Sequence, residues 1–383
     1  MAFDANVSII KELRNYYDVY FFTRLKEGIA HDYGIEDVPE EISCTAQIPQ
    51  SKKFDSFLEA EKTFLLKDHS IVNELIKAYW NKLRQDILLL KRIKSINPDY
   101  VITDNNKHFF TCFHFRKRII HFKHDPFAHS GEKTFTGKLS TFLLRVTASK
   151  YVIFNENQLK PYLQRFNLTP DKVCCSFLSV YEYYHIFDKK NKNDEIENDE
   201  RVNILFWGRI SPYKGIEYLV KGFELYIKQN KAPNIHLIIA GKGDFGFDIN
   251  SYISKYPNQI EVLNRYIYVE ELIRMIQDAR FVVCPYTDAT QSGVVMTAYA
   301  FKKPVLATRV GGLPEMLGYG ELGELIEPCN EQQICDGISH YVENPTKLKE
   351  YEDAIENVYW GHGEKSWYSA VKKIVGFMEG ESQ

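Results

Sequence analysis

From Arg201 onward the chain alternates short apolar runs with stretches of helical period, and this alternation restricts its possible folds more than any other feature. VNILFWG is followed by GIEYLVKGFELYIKQ, then IHLIIAGKG, YVEELIRMIQDA, RFVVCPY and KPVLATRVGG. Repeating strand-helix units close through right-handed crossovers, which dictates a parallel, doubly wound α/β sheet with its connecting loops at the strand carboxyl ends. A chain of 383 residues is also too long for a single core. The charged stretch KKNKNDEIENDE, residues 189 to 200, reads as a linker, so the expected domains are residues 1–188 and 201–363. The last segment, 364–383, is expected to return as a helix that braces the first domain.

The first half is α/β as well, with less regular alternation. Strands are expected at 18–23, 99–104, 118–125 and 151–155, and helices at 5–15, 55–66 and 69–95. The chain opens almost directly with the helical run VSIIKELRNYY, so the first strand and the glycine-containing loop usual in such a domain are missing at its start. The pattern favours a truncated beginning over an edge built differently.

A net charge of −3 gives no overall basic field, which argues against a nucleic-acid binder and makes any anion site local. The seven cysteines are scattered without Cys-x-x-Cys spacing, and several lie in apolar runs. They read as buried thiols in a reducing compartment, with no structural zinc. No run approaches the roughly 18 apolar residues of a membrane span. A cytoplasmic protein, touching a membrane at most peripherally from its inner face, is the expectation.

Four loops of the second domain carry the chemistry. In ILFWGRISPYKGI a strand ends at Gly208, and Arg209 and Lys214 are spaced across a short loop that closes at Gly215. Two cations at a sheet edge, with glycines allowing close backbone approach, suit a diphosphate. In AGKGDF, Gly241 and Gly243 bracket Lys242. In TQSGVVMTAYA, Ser292 and Gly293 precede a segment able to open as a helix, whose N-terminal amides and dipole favour a phosphate. The fourth loop, TRVGGLPE, holds Gly311, Gly312 and Glu315. Each loop alone also reads as an ordinary turn or cap; together they point to a nucleoside diphosphate.

In order and spacing, NILFWGRISPYKG, IIAGKGDF, SGVVMTAYAFKKPVLAT and VGGLPE resemble the family 4 glycosyltransferases, from Asn203 to about Pro328. The resemblance extends more thinly to HDPFAHSGE, residues 124–132. It implies a GT-B fold, two doubly wound domains facing across a cleft, and retaining transfer of a sugar, of hexosyl type, from a UDP- or GDP-linked donor. The implied acceptor is a saccharide or lipid-linked saccharide, as in surface polysaccharide biosynthesis, and no cofactor is needed beyond the donor substrate. By the same resemblance Arg209 and Lys214 hold the donor diphosphate and stabilise the departing nucleotide, while His124 lies against the donor sugar. Many members carry two glutamates seven residues apart; aligned through Pro285 and Pro304, those positions are Ala289 and Thr297 here. This matches a TQSG subgroup; the expectation for this chain is that the backbone of Ser292, Gly293 and Val294 contacts phosphate, that Asp288 or Gln291 faces the sugar, and that the Thr297 hydroxyl is offered to the ribose.

HDPFAHSGE is delivered by the strand RIIHFK, and its Asp125, His129 and Glu132 are candidate acceptor or sugar contacts. They lie on an irregular loop without helical ligand spacing, so no metal is expected. Between Asp104 and Asp125 no acidic residue occurs, while lysines and arginines alternate with phenylalanines. The plain reading makes the phenylalanines the core face of a helix and the cations its solvated face. The other reading is a basic, aromatic surface resting on anionic lipid or a lipid-phosphate acceptor. Loss of both glutamates keeps two rivals in play: a noncatalytic GT-B subunit that binds a nucleotide sugar or a partner enzyme, and a GT-B sugar-nucleotide epimerase.

Overall fold

The structure is a computed structural model that describes residues 2–25, 35, 39, 41–67, 75–104, 108–124, 147–188, 201–230 and 234–381. The chain divides into two compact units, Met1–Leu178 with Trp367–Gln383, and Ser179–Ser366. Among the described residues no helix is long and apolar enough to cross a membrane.

The first unit begins with helix α1 (Ala2–Leu13) and carries two sheets. In one, strand β1 (Phe21–Leu25) pairs in parallel with β3 (Thr63–Lys67), and the short β2 (Ser43–Cys44) adds antiparallel to β3. Helix α2 (Leu75–Ile96) leads to the second sheet, whose strands are β4 (Val101–Thr103), β5 (Ile119–Lys123), β6 (Lys150–Ile153) and β7 (Val173–Cys175), all parallel. Helix α3 (Phe109–His114) lies between β4 and β5, and α4 (Leu159–Phe166) between β6 and β7. β1 and β4 each end their sheet, and residues of both line a cavity of about 920 Å³.

The helix expected at 55–66 is not formed. Residues 49–54 and 60–62 make 3-10 turns, and Thr63–Lys67 enters the sheet as β3. Thr63, Phe64, Leu65 and Leu66 are all buried, so consecutive side chains point into apolar surroundings on both faces. A helix would have turned part of that run to solvent, and strand pairing wins over helix propensity.

β5 holds a feature with a measurable consequence. His121 is fully buried; its Nδ1 lies 3.1 Å from the Phe122 carbonyl, and its Nε2 has no hydrogen-bond partner. Burial, seconded by Lys123, lowers its pKa to about 3. The folded value lies below the unfolded one, so the unfolded chain takes up the proton first and stability falls as pH drops below about 6.5. His121→Leu is expected to remove about 2 kcal/mol of the stability difference between pH 7 and pH 5, read by urea unfolding at the two pH values.

The second unit is one six-stranded parallel sheet of order β10-β9-β8-β11-β12-β13. Its strands and helices alternate along the chain: β8 (Val202–Trp207), α5 (Ile216–Asn230), β9 (Ile235–Gly241), α6 (Ile249–Lys255), β10 (Ile260–Asn264), α7 (Val269–Asp278), β11 (Ala279–Cys284), α8 (Gly293–Ala300), β12 (Val305–Thr308), α9 (Leu313–Met316), β13 (Gly323–Ile326), α10 (Glu331–Glu343) and α11 (Pro345–Tyr359). Ile204, Leu205 and Phe206 of β8 and Phe281, Val282, Val283 and Cys284 of β11 have no exposed surface, the signature of strands covered on both faces. The chain winds from β8 outward through β9 and β10, then returns to the other side of β8 with β11. The winding therefore reverses between β8 and β11, and the crevice beyond the carboxyl ends of those two strands is where such sheets hold ligands.

Residues 179–188 belong to this unit. Tyr181 N donates to Met296 O, the His185 ring lies 2.8 Å from Ala300 O, and Gln277 Nε2 donates to Asp188 Oδ2 at 2.7 Å. The last helix, α12 (Trp367–Glu379), lies in the first unit. There Lys150 Nζ donates to Phe377 O and Met378 O, and Tyr17 OH to Glu379. Residues 189–200 lie outside the described residues. All seven cysteines are free thiols; Cys112, Cys174, Cys284 and Cys335 are buried, whereas Cys329 is exposed.

Candidate active site

The loop after β8 and the loop after β11 meet at the winding reversal. Residues 212–214 form a 3-10 turn that Gly215 ends in the left-handed region, at φ +66°. Tyr213 O accepts a hydrogen bond from Thr287 N at 2.8 Å, which ties this turn to the β11 loop. Below, Thr308 Oγ1 donates to Tyr286 O at 2.6 Å. The result is a fixed platform of two tyrosines. Both sequence-predicted cations gather on it: Arg209 Cζ lies 6.0 Å from the Tyr213 ring centroid, and Lys214 Nζ lies 5.1 Å from Tyr213 and 3.6 Å from Tyr286. Arg209 is exposed; Lys214 is half-buried.

The Lys214 ammonium faces an aromatic ring at contact distance, an attraction that partly replaces lost hydration. Desolvation still dominates and lowers its pKa to about 8, with a further push down from neighbouring Arg209 and an opposing effect of Cys284. An exposed guanidinium beside a desolvated ammonium makes a strong site for a polyanion.

The third part is the amino end of α8. Ser292 precedes it without capping it. The serine is buried and its hydroxyl turns instead to Tyr286 OH, 3.3 Å away. The first backbone amides of an uncapped helix have no partner inside the helix and carry the positive end of its dipole. A Cβ on Gly208 would stand 3.7 Å from Val294 Cγ2, so the end of β8 and the start of α8 are neighbours. Gly208, Arg209, Lys214, Ser292, Gly293 and Val294 are thus brought together at one sheet edge.

Gly241 and Gly243, the candidate donor-binding glycines of the second loop, also serve the packing of two loops. They run beside the β8 loop: Gly208 N donates to Ala240 O, and Ile210 N to Lys242 O. A Cβ on Gly241 would stand 1.8 Å from Gly208 O, and one on Gly243 2.0 Å from Ile210 O. Only glycine lets the two loops lie so close. Asn264, at the end of β10, fastens this pair by accepting from Gly243 N and donating to Gly243 O, both at 3.1 Å. Sequence reasoning missed Asn264, because a lone asparagine after a strand carries no distinguishing signal. It also missed Tyr213 and Tyr286, whose spacing around Lys214 is set by the fold.

Asp288 is exposed and Gln291 half-buried on the β11 loop. Ala289 is buried, and its carbonyl lies so near Gly311 that a Cβ there would stand 1.4 Å away. Thr297 is only 3% exposed, and its hydroxyl donates to Gly293 O at 2.8 Å, inside α8 rather than at the loop edge. His124 closes β5 in the first unit; its ring stacks on Phe154 at 4.9 Å, and Nε2 lies 3.4 Å from Asn6 Oδ1. Asp125, His129 and Glu132 lie outside the described residues.

This geometry agrees with what the chain resembles. Residues 187–359 match the family described as Glycosyl transferases group 1. That match covers most of the second unit. An uncharacterized glycosyltransferase of Methanocaldococcus jannaschii is 28% identical over 187 residues, covering 47% of this chain and 45% of that protein. A D-inositol 3-phosphate glycosyltransferase of Corynebacterium glutamicum is 29% identical over 163 residues, covering 40% of this chain and 38% of that protein. The chain therefore spans less than half the length of these relatives.

Solved structures extend the likeness in fold to the whole chain. HepE of Anabaena, crystallised with UDP, matches with a TM-score of 0.64 at 15% identity, over 98% of this chain and 96% of that one. Sucrose-phosphate synthase of Thermosynechococcus elongatus matches with a TM-score of 0.65 at 13% identity, over 97% of this chain and 91% of that one. The fold is GT-B. A UDP-GlcNAc 2-epimerase of Neisseria meningitidis shares it, with a TM-score of 0.59 at 14% identity over 98% of this chain and 96% of that one.

Proposed function

We propose that this protein transfers a sugar, with retention of anomeric configuration, from a nucleoside diphosphate sugar to a hydroxyl of a saccharide or lipid-linked saccharide, in the assembly of a surface polysaccharide. The observation that carries the reading is the convergence of Arg209 and Lys214 on the Tyr213–Tyr286 platform beside the uncapped start of α8. HepE, crystallised with UDP, supports a uridine nucleotide as the first donor to try.

Charge development explains what these groups do. As the bond between the anomeric carbon and the diphosphate oxygen breaks, its electron pair stays on the diphosphate, and the sugar becomes oxocarbenium-like. The acceptor oxygen bonds to the same face of that carbon, and its proton passes to the departing diphosphate. Arg209, Lys214 and the α8 amides stabilise the growing negative charge, which matters more here than a strong nucleophile. The absence of carboxylates at Ala289 and Thr297 then removes specificity contacts rather than the main catalytic field. Asp288 and Gln291 are the side chains left at that loop to face the sugar.

Incubation with UDP- and GDP-sugars and a glycolipid extract tests the reaction. Release of nucleotide that depends on acceptor is expected. Turnover of a UDP-sugar without acceptor would instead select an epimerase, the reading favoured by the shared fold of the Neisseria enzyme. No turnover of any donor would select a binding subunit.

Lys214 makes the pH dependence specific. Its folded pKa lies below the ordinary lysine value of 10.5, so the buried ammonium costs stability below about pH 8, and that cost disappears between pH 8 and 10.5. Ligand binding runs the other way, because the diphosphate needs the charge. UDP affinity is expected to weaken about tenfold from pH 7 to pH 9, and Lys214→Arg, which keeps its charge, to flatten the profile. Titration calorimetry across that range checks it.

A further inference from the structure

The segment Phe109–Arg118 of the first unit is built for something the sugar-transfer reading does not use. Asp86 anchors α3 from beneath, accepting from Phe110 N at 2.7 Å and from Thr111 Oγ1 at 2.9 Å. Thr111, Cys112 and Phe115 are buried, which fixes the helix against the unit. Its outer face then presents Phe109, Phe110 and Phe113, exposed by 43%, 38% and 48%. The three rings form one cluster, with Phe109 5.5 Å from Phe110 and 6.0 Å from Phe113 between centroids. The plain expectation, that the phenylalanines of this stretch are core, holds for Phe115 and Phe122 and fails for these three. Three contiguous exposed rings on an anchored helix are an interaction surface rather than scattered surface residues.

Cations adjoin the rings directly. The Arg116 guanidinium lies 5.2 Å over the Phe113 ring, and Arg116, Lys117 and Arg118 are all exposed. With His114 and Asn97 they line an open pocket of about 270 Å³. No acidic residue occurs in the sequence between Asp104 and Asp125. In a chain of net charge −3 this is a local positive patch, too small for a nucleic-acid groove but suited to anionic headgroups. Rings beside cations match the layering of a membrane interface, where aromatic groups enter the headgroup and acyl boundary and cations stay at phosphate level.

We propose that Phe109–Arg118 docks the protein on an anionic lipid bilayer, with Phe109, Phe110 and Phe113 entering the interfacial layer and Arg116, Lys117 and Arg118 taking lipid phosphates. The proposal is independent of the sugar-transfer reading, since it is measured without donor or acceptor.

The test is flotation of the full chain with vesicles of phosphatidylcholine alone or containing 30% phosphatidylglycerol, a composition on the order of that needed for a strong surface potential. At least about tenfold tighter binding to the anionic vesicles is expected, falling at high salt. Phe109→Ser with Phe113→Ser, and separately Arg116→Glu with Lys117→Glu, should each weaken it at least about tenfold. Arg118 is left unchanged because it bonds Asn97 Oδ1 and Pro98 O. Wild-type thermal midpoints in both variants show that the fold is kept. Equal wild-type binding to both vesicle types, no binding to either, or full binding by either folded variant would overturn the proposal.

Discussion

Lys214→Ala is expected to lower kcat/KM for sugar transfer by on the order of 10²- to 10³-fold, the usual cost of removing one preorganised charge that stabilises a leaving group. Arg209→Ala should cost a similar factor. The two differ in origin. Lys214 is desolvated against Tyr286, so its charge acts through a poorly screened medium and should influence the transition state most. Arg209 is exposed and should contribute relatively more to ground-state binding, appearing in KM as well as kcat. Steady-state kinetics with the donor varied separates these effects. Lys214→Ala should not unfold the unit, because the truncation removes a buried charge whose presence costs stability at neutral pH. Wild-type turnover in either variant would remove these residues from the mechanism.

Gly241→Ala should do comparable damage by a route that touches no ligand. Gly241 has φ +153°, a conformation side chains rarely adopt, and its added Cβ would meet Gly208 O at 1.8 Å. The β8 loop and the β9 loop must then separate, breaking the bonds from Gly208 N to Ala240 O and from Ile210 N to Lys242 O. A stability loss of about 3 kcal/mol is expected, together with a fall in nucleotide affinity on the order of 10²-fold as Arg209 and Lys214 lose their shared footing. Urea unfolding and calorimetry measure the two effects. A variant with unaltered affinity would show that the loop pair is not what positions the cations.

The sheet of the second unit was legible because its strands are uninterrupted apolar runs, and its helices show a clear 3.6 period. The convergence of the candidate site was legible where chemistry and position coincide, as at Gly208, Arg209, Lys214 and the Ser292-Gly293 pair. The role of Gly241 and Gly243 was not, because a glycine's freedom is visible in a sequence while the neighbour it accommodates is not. Thr297 shows the same limit, since its hydroxyl is spent on the Gly293 carbonyl of its own helix, a local competition that residue type alone does not reveal. In the first unit the run FLEAEKTFLL suits a helix by propensity, yet its last four residues become strand because β1 and β2 pair with them. The exposed rings of α3 were hidden for a related reason. Phenylalanine reads as core unless the burial of its neighbours is known.

The most direct test compares UDP with uridine, and GDP with guanosine, by calorimetry on the wild-type chain and on the Arg209→Ala/Lys214→Ala variant. If the cations grip the diphosphate, the wild type should bind one diphosphate at least about 10³-fold more tightly than its nucleoside, and the variant should lose most of that ratio while keeping its nucleoside affinity. An undiminished ratio in the variant would contradict the account.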